Sequence, residues 1–561
     1  MLGTTARPPQ LHMIIVPGLL AIVLACPLSD EEPPESPRLV VVLCVDQLIP
    51  EQLERLEPWL DGGLARFGER GRTFSAAELD YYRSETGPGH ATLATGLLPR
   101  HHGISANGML DPQTQTRIEC TVDPTVATLA PGGVLTEPET GGSSARHLLR
   151  PGLAEYLRER WPASRSVSIS GKARAAVFLA GRAPQWALWW DRRAGGFTSS
   201  SAYGELLPDW VLSWNRGWSA QANGRDWRCS FEGELDGSGT APDERAGESA
   251  IGAGVTFPRA APRLTDDPRP IEYQRLAGFV SATPLLDRFV IDLALAAVDS
   301  LELGADGDVD LLALGLSACD KVGHRAGPYS REVTDTLLRL DDELGRLFGL
   351  LDERLGPDAW LAALASDHGV MELPEALVER GIATRRLGTN ETRRALAAAR
   401  EALSERFEGE FFGLRSSGDG LILDRELVAA AGADLAQVRA LARSAYLGVA
   451  DYAADAYTFD ELASPQPPRD AFAALARNSF RPEHEVDVVL RFQPWLLHDC
   501  RLGTDHGSPY PYDRRIVLSF LGPGFAPAKR WERASPTDLV PTLLERLGVP
   551  LPEGLDGRPL D

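Results

Sequence analysis

Histidine and cysteine are scarce in this chain, at 10 and 6 of 561 residues. Six cysteines in so long a chain cannot form a disulfide scaffold, and any metal centre must draw on few imidazoles. Net positive charge is absent as well. With 57 basic against 79 acidic side chains the formal charge is −22. A field of that sign repels nucleic acid, so bulk phosphate-backbone binding is excluded. No apolar run reaches the roughly 20 residues that a membrane-spanning helix needs; residues 13–25 are interrupted by Pro17 and Gly18. Internal repeats and a GxGxxG fingerprint are also missing. What remains is the balance of a globular protein, 43% hydrophobic and 24% charged. Such a chain can bury a large core in one or two lobes and is too apolar to be mainly disordered.

Residues 1–26 predict a secretory signal peptide: a weakly basic start at Arg7, the apolar stretch 13–25, then Cys26. Val23-Leu24-Ala25-Cys26 resembles a bacterial lipobox, which makes Cys26 a candidate lipid-anchor point on an envelope membrane; a plain cleaved leader is the alternative. Either form places the mature chain in the periplasm. Residues 27–37 read as an acidic, proline-rich linker that cannot pack. The five later cysteines lie far apart in sequence, and Cys44 and Cys319 fall in apolar runs that predict buried strands.

From residue 38 the pattern is α/β. Continuous apolar runs at 39–45, 309–316, 360–365 and 516–521 predict strands buried on both faces. A helical stretch is expected over 50–71, and 331–356 reads as an amphipathic helix with apolar residues three and four apart. The fold expected is a mostly parallel central sheet flanked by helices. Two stretches stand out as inserted cap segments: about 185–275, rich in Trp, Gly and Ser, and about 371–495, rich in helix formers.

Reactive residues stand where those strands end, the edge at which open α/β sheets bind ligands. Asp46 follows the first run. Asp320 and His324, four apart, share one side of a helical turn, which suits two ligands on one metal. Asp367-His368 precedes Gly369, and His506 sits between Gly503 and Gly507. Each has a bland reading, such as a capping aspartate or an exposed histidine, but together they are hard to dismiss. In the segment from Ser84 to Thr92, a hydroxyl on a turn opening into a helix can be aimed at a metal while the helix N-terminus faces an anion. By composition Ser84, Thr86 and Thr92 all compete for the nucleophile role. Asp/His ligation suits zinc and also admits manganese or iron.

The strings V-x-D-Q at Val45, T-x-P-G-H-A-T at Thr86, H-G-I-x-x-N ending at Asn107, D-x-V-G-H at Asp320, D-H-G at Asp367 and D-H-G-S-x-Y at Asp505 occur in one order. That order resembles the alkaline phosphatase superfamily, in particular its type I phosphodiesterase/nucleotide pyrophosphatase-like branch, from about residue 38 to the C-terminus. The resemblance implies an alkaline phosphatase-like catalytic domain over 38–561 that acts on small-molecule phosphate esters. It implies two zinc ions, one held by Asp46, Asp367 and His368 and touched by the nucleophile Thr86, the other held by Asp320, His324 and His506. Asn107 then matches the side chain that hydrogen-bonds a phosphoryl oxygen. Lys172 and Arg174 stand where PafA-type, threonine-nucleophile alkaline phosphatases carry a Lys-x-Arg pair that the diesterases lack.

Charge supports that choice of branch. Two zinc ions balance three aspartates and a threonine alkoxide. A monoester arrives as a dianion, and Lys172 and Arg174 can offset its extra charge, Arg174 through a bidentate fork. The expectation is therefore a di-zinc phosphate monoester hydrolase working through a phosphothreonine at Thr86. A phosphodiesterase or nucleotide pyrophosphatase with the same zinc pair is the alternative, and an inactive envelope-tethered binding lipoprotein a further one. A sulfatase would need cysteine or serine in place of Thr86.

Overall fold

The computed structural model describes residues 37–561, apart from residues 132, 137–140, 232, 234, 236–237, 409–411 and 499. The leader, Cys26 and the linker up to residue 36 lie outside the described residues. Everything from residue 37 onward belongs to one unit.

Nine strands make the central sheet: β1 (Leu39–Val45), β2 (Arg72–Ala77), β3 (Ser166–Ser170), β4 (Trp186–Asp191), β5 (Gly196–Thr198), β6 (Asp310–Leu316), β7 (Trp360–Ala365), β8 (Leu518–Leu521) and β9 (Ala528–Ala534). Their order is β5-β4-β3-β6-β1-β7-β8-β2-β9. The run from β4 to β7 is wholly parallel. Every residue of β1 is buried. Leu39, Val41, Leu43 and Val45 pack into one core cluster, while Val40, Val42 and Cys44 pack into another. A strand whose two faces both meet a core has no polar position to alternate, which is why these strands read as unbroken apolar runs.

The helices that matter for the site are α1 (Thr86–Thr95), α2 (Ala173–Leu179), α3 (Leu285–Ser300), α4 (Ala318–Ala326) and α5 (Arg331–Leu355). The amphipathic stretch forms α5 as expected. Ser330 caps it, its hydroxyl accepting from the Val333 amide at 3.1 Å, and Leu337, Leu340, Leu344, Leu347 and Leu351 bury its stripe. Among the described residues no helix is long and apolar enough to cross a membrane.

Five local expectations change. The stretch 185–275 is not an insertion throughout, because β4 and β5 of the central sheet lie in it. The helical stretch at 50–71 breaks into Pro50–Leu56, a 3₁₀ turn at Glu57–Trp59 and Gly63–Arg70; Pro58 and two glycines interrupt one continuous rod. Cys319 is buried in α4 rather than in a strand. The last run shortens to β8, which lies antiparallel to β7. Residues 371–495 contain, besides helices, a four-stranded sheet in the order Arg415–Ser417, Gly420–Ile422, Val488–Phe492, Ala453–Thr458. Strands of three residues are too short to show an alternation. Cys44, Cys120, Cys229, Cys319 and Cys500 are all free thiols.

Candidate active site

Parallel β3, β6, β1 and β7 are neighbours, so their carboxyl ends open on one edge. Asp46 follows β1, its amide extending the ladder to the Leu316 carbonyl at 3.0 Å. Asp367 and His368 follow β7, Asp320 and His324 lie on α4 just beyond β6, and Lys172 follows β3. Asp46, Asp367 and His368 form one fully buried cluster. Asp320 Oδ1 lies 3.1 Å from His324 Nε2 and 3.6 Å from His506 Nε2. His506 comes from a loop rather than a strand end, and its ring stacks on that of His368 with centroids 3.6 Å apart. All six acid and imidazole ligands expected from the sequence thus converge.

The three histidines share one arrangement. Nδ1 of His324 faces the Thr504 carbonyl at 3.0 Å, that of His368 the Gly369 carbonyl at 2.9 Å, and that of His506 the Ser84 carbonyl at 2.7 Å. A carbonyl only accepts, so each Nδ1 carries the proton and each Nε2 faces the carboxylates. Asp46 Oδ1, Asp367 Oδ2 and His368 Nε2 are buried without a hydrogen bond among the described residues. Imidazole lone pairs aimed at carboxylates repel unless a cation lies between them or a proton is added. Against burial, which would lower it, Asp367 and Asp46 hold His368 up at about 9. Against burial, which would raise it, His368 and His90 hold Asp367 below the usual carboxylate range. The donor set therefore fits divalent metal ions.

Thr86 is the first residue of α1 and is fully buried. Lys172 Nζ donates to Thr86 Oγ1 at 3.3 Å and lies 2.5 Å from Asp46 Oδ2 and 2.6 Å from Asp320 Oδ2, one carboxylate from each cluster. Asn107 Oδ1 accepts from the Gly87 amide at 2.7 Å. That amide can only donate, so it sets the orientation of the Asn107 side chain and leaves the NH₂ group as its donor end. Arg174 stands slightly apart, paired with Glu119 at 2.8 Å. Of the three candidate hydroxyls, Ser84 donates to the Ser508 carbonyl at 3.0 Å and Thr92 meets His102 Nε2 at 3.1 Å. Thr86 alone among them touches Lys172.

Three participants carried no role in the sequence reading. Gln47 has a left-handed backbone, φ 71°. Its amide donates to Asp367 Oδ1 at 3.2 Å and its side chain to Asp320 Oδ1 at 3.3 Å, so it ties the two clusters together. Glu85 accepts the Asn107 amide at 2.5 Å. His90 Nδ1 lies 3.0 Å from the Thr86 carbonyl and 3.2 Å from Asp367 Oδ2. Gln47 and His90 both stand inside the motif strings, which was the available signal. Two glycines give the room: a Cβ on Gly89 would lie 2.5 Å from Asp367 Cβ, and one on Gly323 2.0 Å from Gln47 Oε1. Beside His506 and Glu85 opens a cavity of about 210 Å³ whose far wall includes Asp419, Phe492 and Tyr510. Residues from the 371–495 stretch therefore border the site.

A helix N-terminus that offers amides and a hydroxyl to an anion, flanked by acid–imidazole clusters at a parallel-sheet edge, belongs with the α/β phosphoester hydrolases. The family model for type I phosphodiesterase / nucleotide pyrophosphatase matches residues 40–455, and the chain belongs to that family. It is 27% identical to alkaline phosphatase PafA of Elizabethkingia meningoseptica over 93% of this chain and 94% of that protein. With alkaline phosphatase PhoK of a Sphingomonas species the identity is 29%, over 94% and 91%. The crystal structure of wild type PafA superposes with a TM-score of 0.83 at 27% identity, covering 94% of this chain and 98% of that one.

Proposed function

We propose that this chain is a phosphate monoester hydrolase of the alkaline phosphatase type, using two zinc ions and a covalent phosphothreonine at Thr86. The observation that carries the reading is the ammonium of Lys172, held between Asp46 and Asp320 and 3.3 Å from Thr86 Oγ1. Asp46, Asp367 and His368 would hold one zinc, and Asp320, His324 and His506 the other. Bound there, zinc supplies positive charge that favours the Thr86 alkoxide and the departing ester oxygen.

The chain's own residues do the rest. Thr86 gives up its proton to water, the nearby positive charge of Lys172 favouring the alkoxide. The new Oγ1–P bond forms as the P–O bond to the alcohol breaks, and the alcohol takes a proton from water. The α1 amides and the Asn107 NH₂ group steady the phosphoryl oxygens, and Arg174, freed from Glu119, can grip two of them. Water then attacks phosphorus, restores Thr86 and releases phosphate. One observation favours a diesterase: Arg174 is paired with Glu119 rather than aimed at Thr86. The secretory leader and the lipid at Cys26 belong to this proposal too; palmitate labelling that survives Cys26→Ser would refute the anchor.

Hydrolysis of matched mono- and diesters by the purified protein tests the reading. The monoester is expected to be preferred, with the preference falling on the order of 100-fold in Lys172→Ala. Thr86→Ala is expected to lose on the order of 1,000-fold in kcat. A diester preference indifferent to Lys172 would overturn the monoesterase reading, and full activity in Thr86→Ala would overturn the nucleophile.

A further inference from the structure

Of 57 basic side chains only three are lysines: Lys172, Lys321 and Lys529. Lys529 lies on the edge strand β9, 3.9 Å from Glu54. Lys172 is paired twice, with Asp46 and Asp320. Lys321 differs from both. It is half-buried on α4, directly after Asp320 and three residues before His324. Residues three apart share a helix face, so its side chain emerges beside His324. Among the described residues its ammonium makes no hydrogen bond and no ion pair, while the charged groups acting on it are Lys172, Asp320, Arg174 and Asp46, all of the site. With no counter-ion among the described residues and its Nζ open to solvent, that cation is available to an anionic group on a ligand.

Its position indicates which ligand group that is. The phosphoryl oxygens already have Asn107, Lys172 and the α1 amides. Helix α4 instead carries Asp320 and His324, of the ligand set that is not the one expected to touch Thr86; that set is left to face the departing oxygen, which puts Lys321 on the leaving-group side. We propose that Lys321 is a specificity-determining residue whose ammonium meets a second anion on the leaving group. The substrates favoured are then phosphate monoesters whose alcohol bears a carboxylate or a further phosphate. This rests on the monoesterase reading of the site.

Glycerol 3-phosphate and 3-phosphoglycerate form a matched pair, since their leaving alcohols differ by one carboxylate. Steady-state kinetics of the full chain with zinc should show a higher kcat/KM for 3-phosphoglycerate. In Lys321→Gln that advantage should fall about tenfold, mainly through KM, with a much smaller change for glycerol 3-phosphate. Lys321→Arg should keep most of it, and the Ki of free glycerate should rise in Lys321→Gln alone. An unchanged thermal midpoint would show that the Gln variant is folded. Equal losses on both esters would place Lys321 on the transferred phosphoryl group and overturn the proposal, as would no loss on either. If the wild type cleaves neither ester, the monoesterase reading itself falls and takes this proposal with it.

Discussion

An imidazole offers a lone pair to a metal only when its other nitrogen keeps the proton, and backbone carbonyls settle that for His324, His368 and His506. The identities of these residues could be read from their motif strings. Their tautomers could not, because Thr504 and Ser84 meet their histidines only after folding, and the Gly369 carbonyl turns back on the neighbouring His368 ring only in the folded loop. The same holds for Gln47, whose role depends on a left-handed backbone angle, and for Asn107, whose orientation is set by one amide of α1. Away from the site, Glu248 makes a prediction of its own. Among the described residues its Oε1 is buried without a partner, and burial first, then Glu332, pushes its carboxyl up to about 8. A folded-state value above the unfolded one means that the folded state binds this proton more tightly. The stability it contributes is fully present below about 4.5 and is lost as pH rises to about 8. Glu248→Gln should therefore raise the melting temperature at pH 8.5 and leave it nearly unchanged at pH 4.5. The gain should be roughly 1–2 kcal/mol, below the full shift because part of the carboxyl is solvated. Thermal unfolding at the two pH values decides it.

At the level of elements, the site is a meeting of strand ends with one helix. β1, β6 and β7 were legible because burial on both faces leaves an unbroken apolar signature. The antiparallel turn of β8 was not, since direction depends on the connection and not on the strand's own residues. α1 must come close enough to β7 for His90 to reach Asp367, and Gly89 permits it. Alanine is the better helix former by about 1 kcal/mol, so propensity alone predicts that Gly89→Ala stabilises α1. The 2.5 Å approach to Asp367 Cβ predicts the reverse. The variant should lose at least about tenfold in kcat/KM and melt lower, since a shift of this size misplaces a reacting group. Activity and melting curves of the same preparation measure both.

For the molecule as a whole, the excess of acid is tolerable at the surface but not at the sheet edge, where Asp46, Asp320 and Asp367 are buried together. Cations there should matter to the entire fold. Chelation is expected to lower the melting temperature as well as abolish activity, and zinc at about 100 times its Kd should restore about 2.7 kcal/mol. Calorimetry with and without chelator tests this, and an unchanged melting point would count against the metal centre. The charge balance was readable from composition, whereas the small sheet within 371–495 and its place beside His506 were not, because no short strand there carries a pattern of its own.

The strand order has a consequence in time. Leu39 pairs with Asp310 on one side and Trp360 on the other, so the first strand to be synthesised waits about 270 residues for a neighbour. His506 arrives later still. A chain made amino-end first therefore carries an unmatched apolar ribbon through about half of its synthesis, and over that span the ribbon is open to sticking to its siblings. The Asp320 and His324 cluster likewise stays incomplete until His506 has emerged, so the site is assembled late, whatever the order in which its other residues appear.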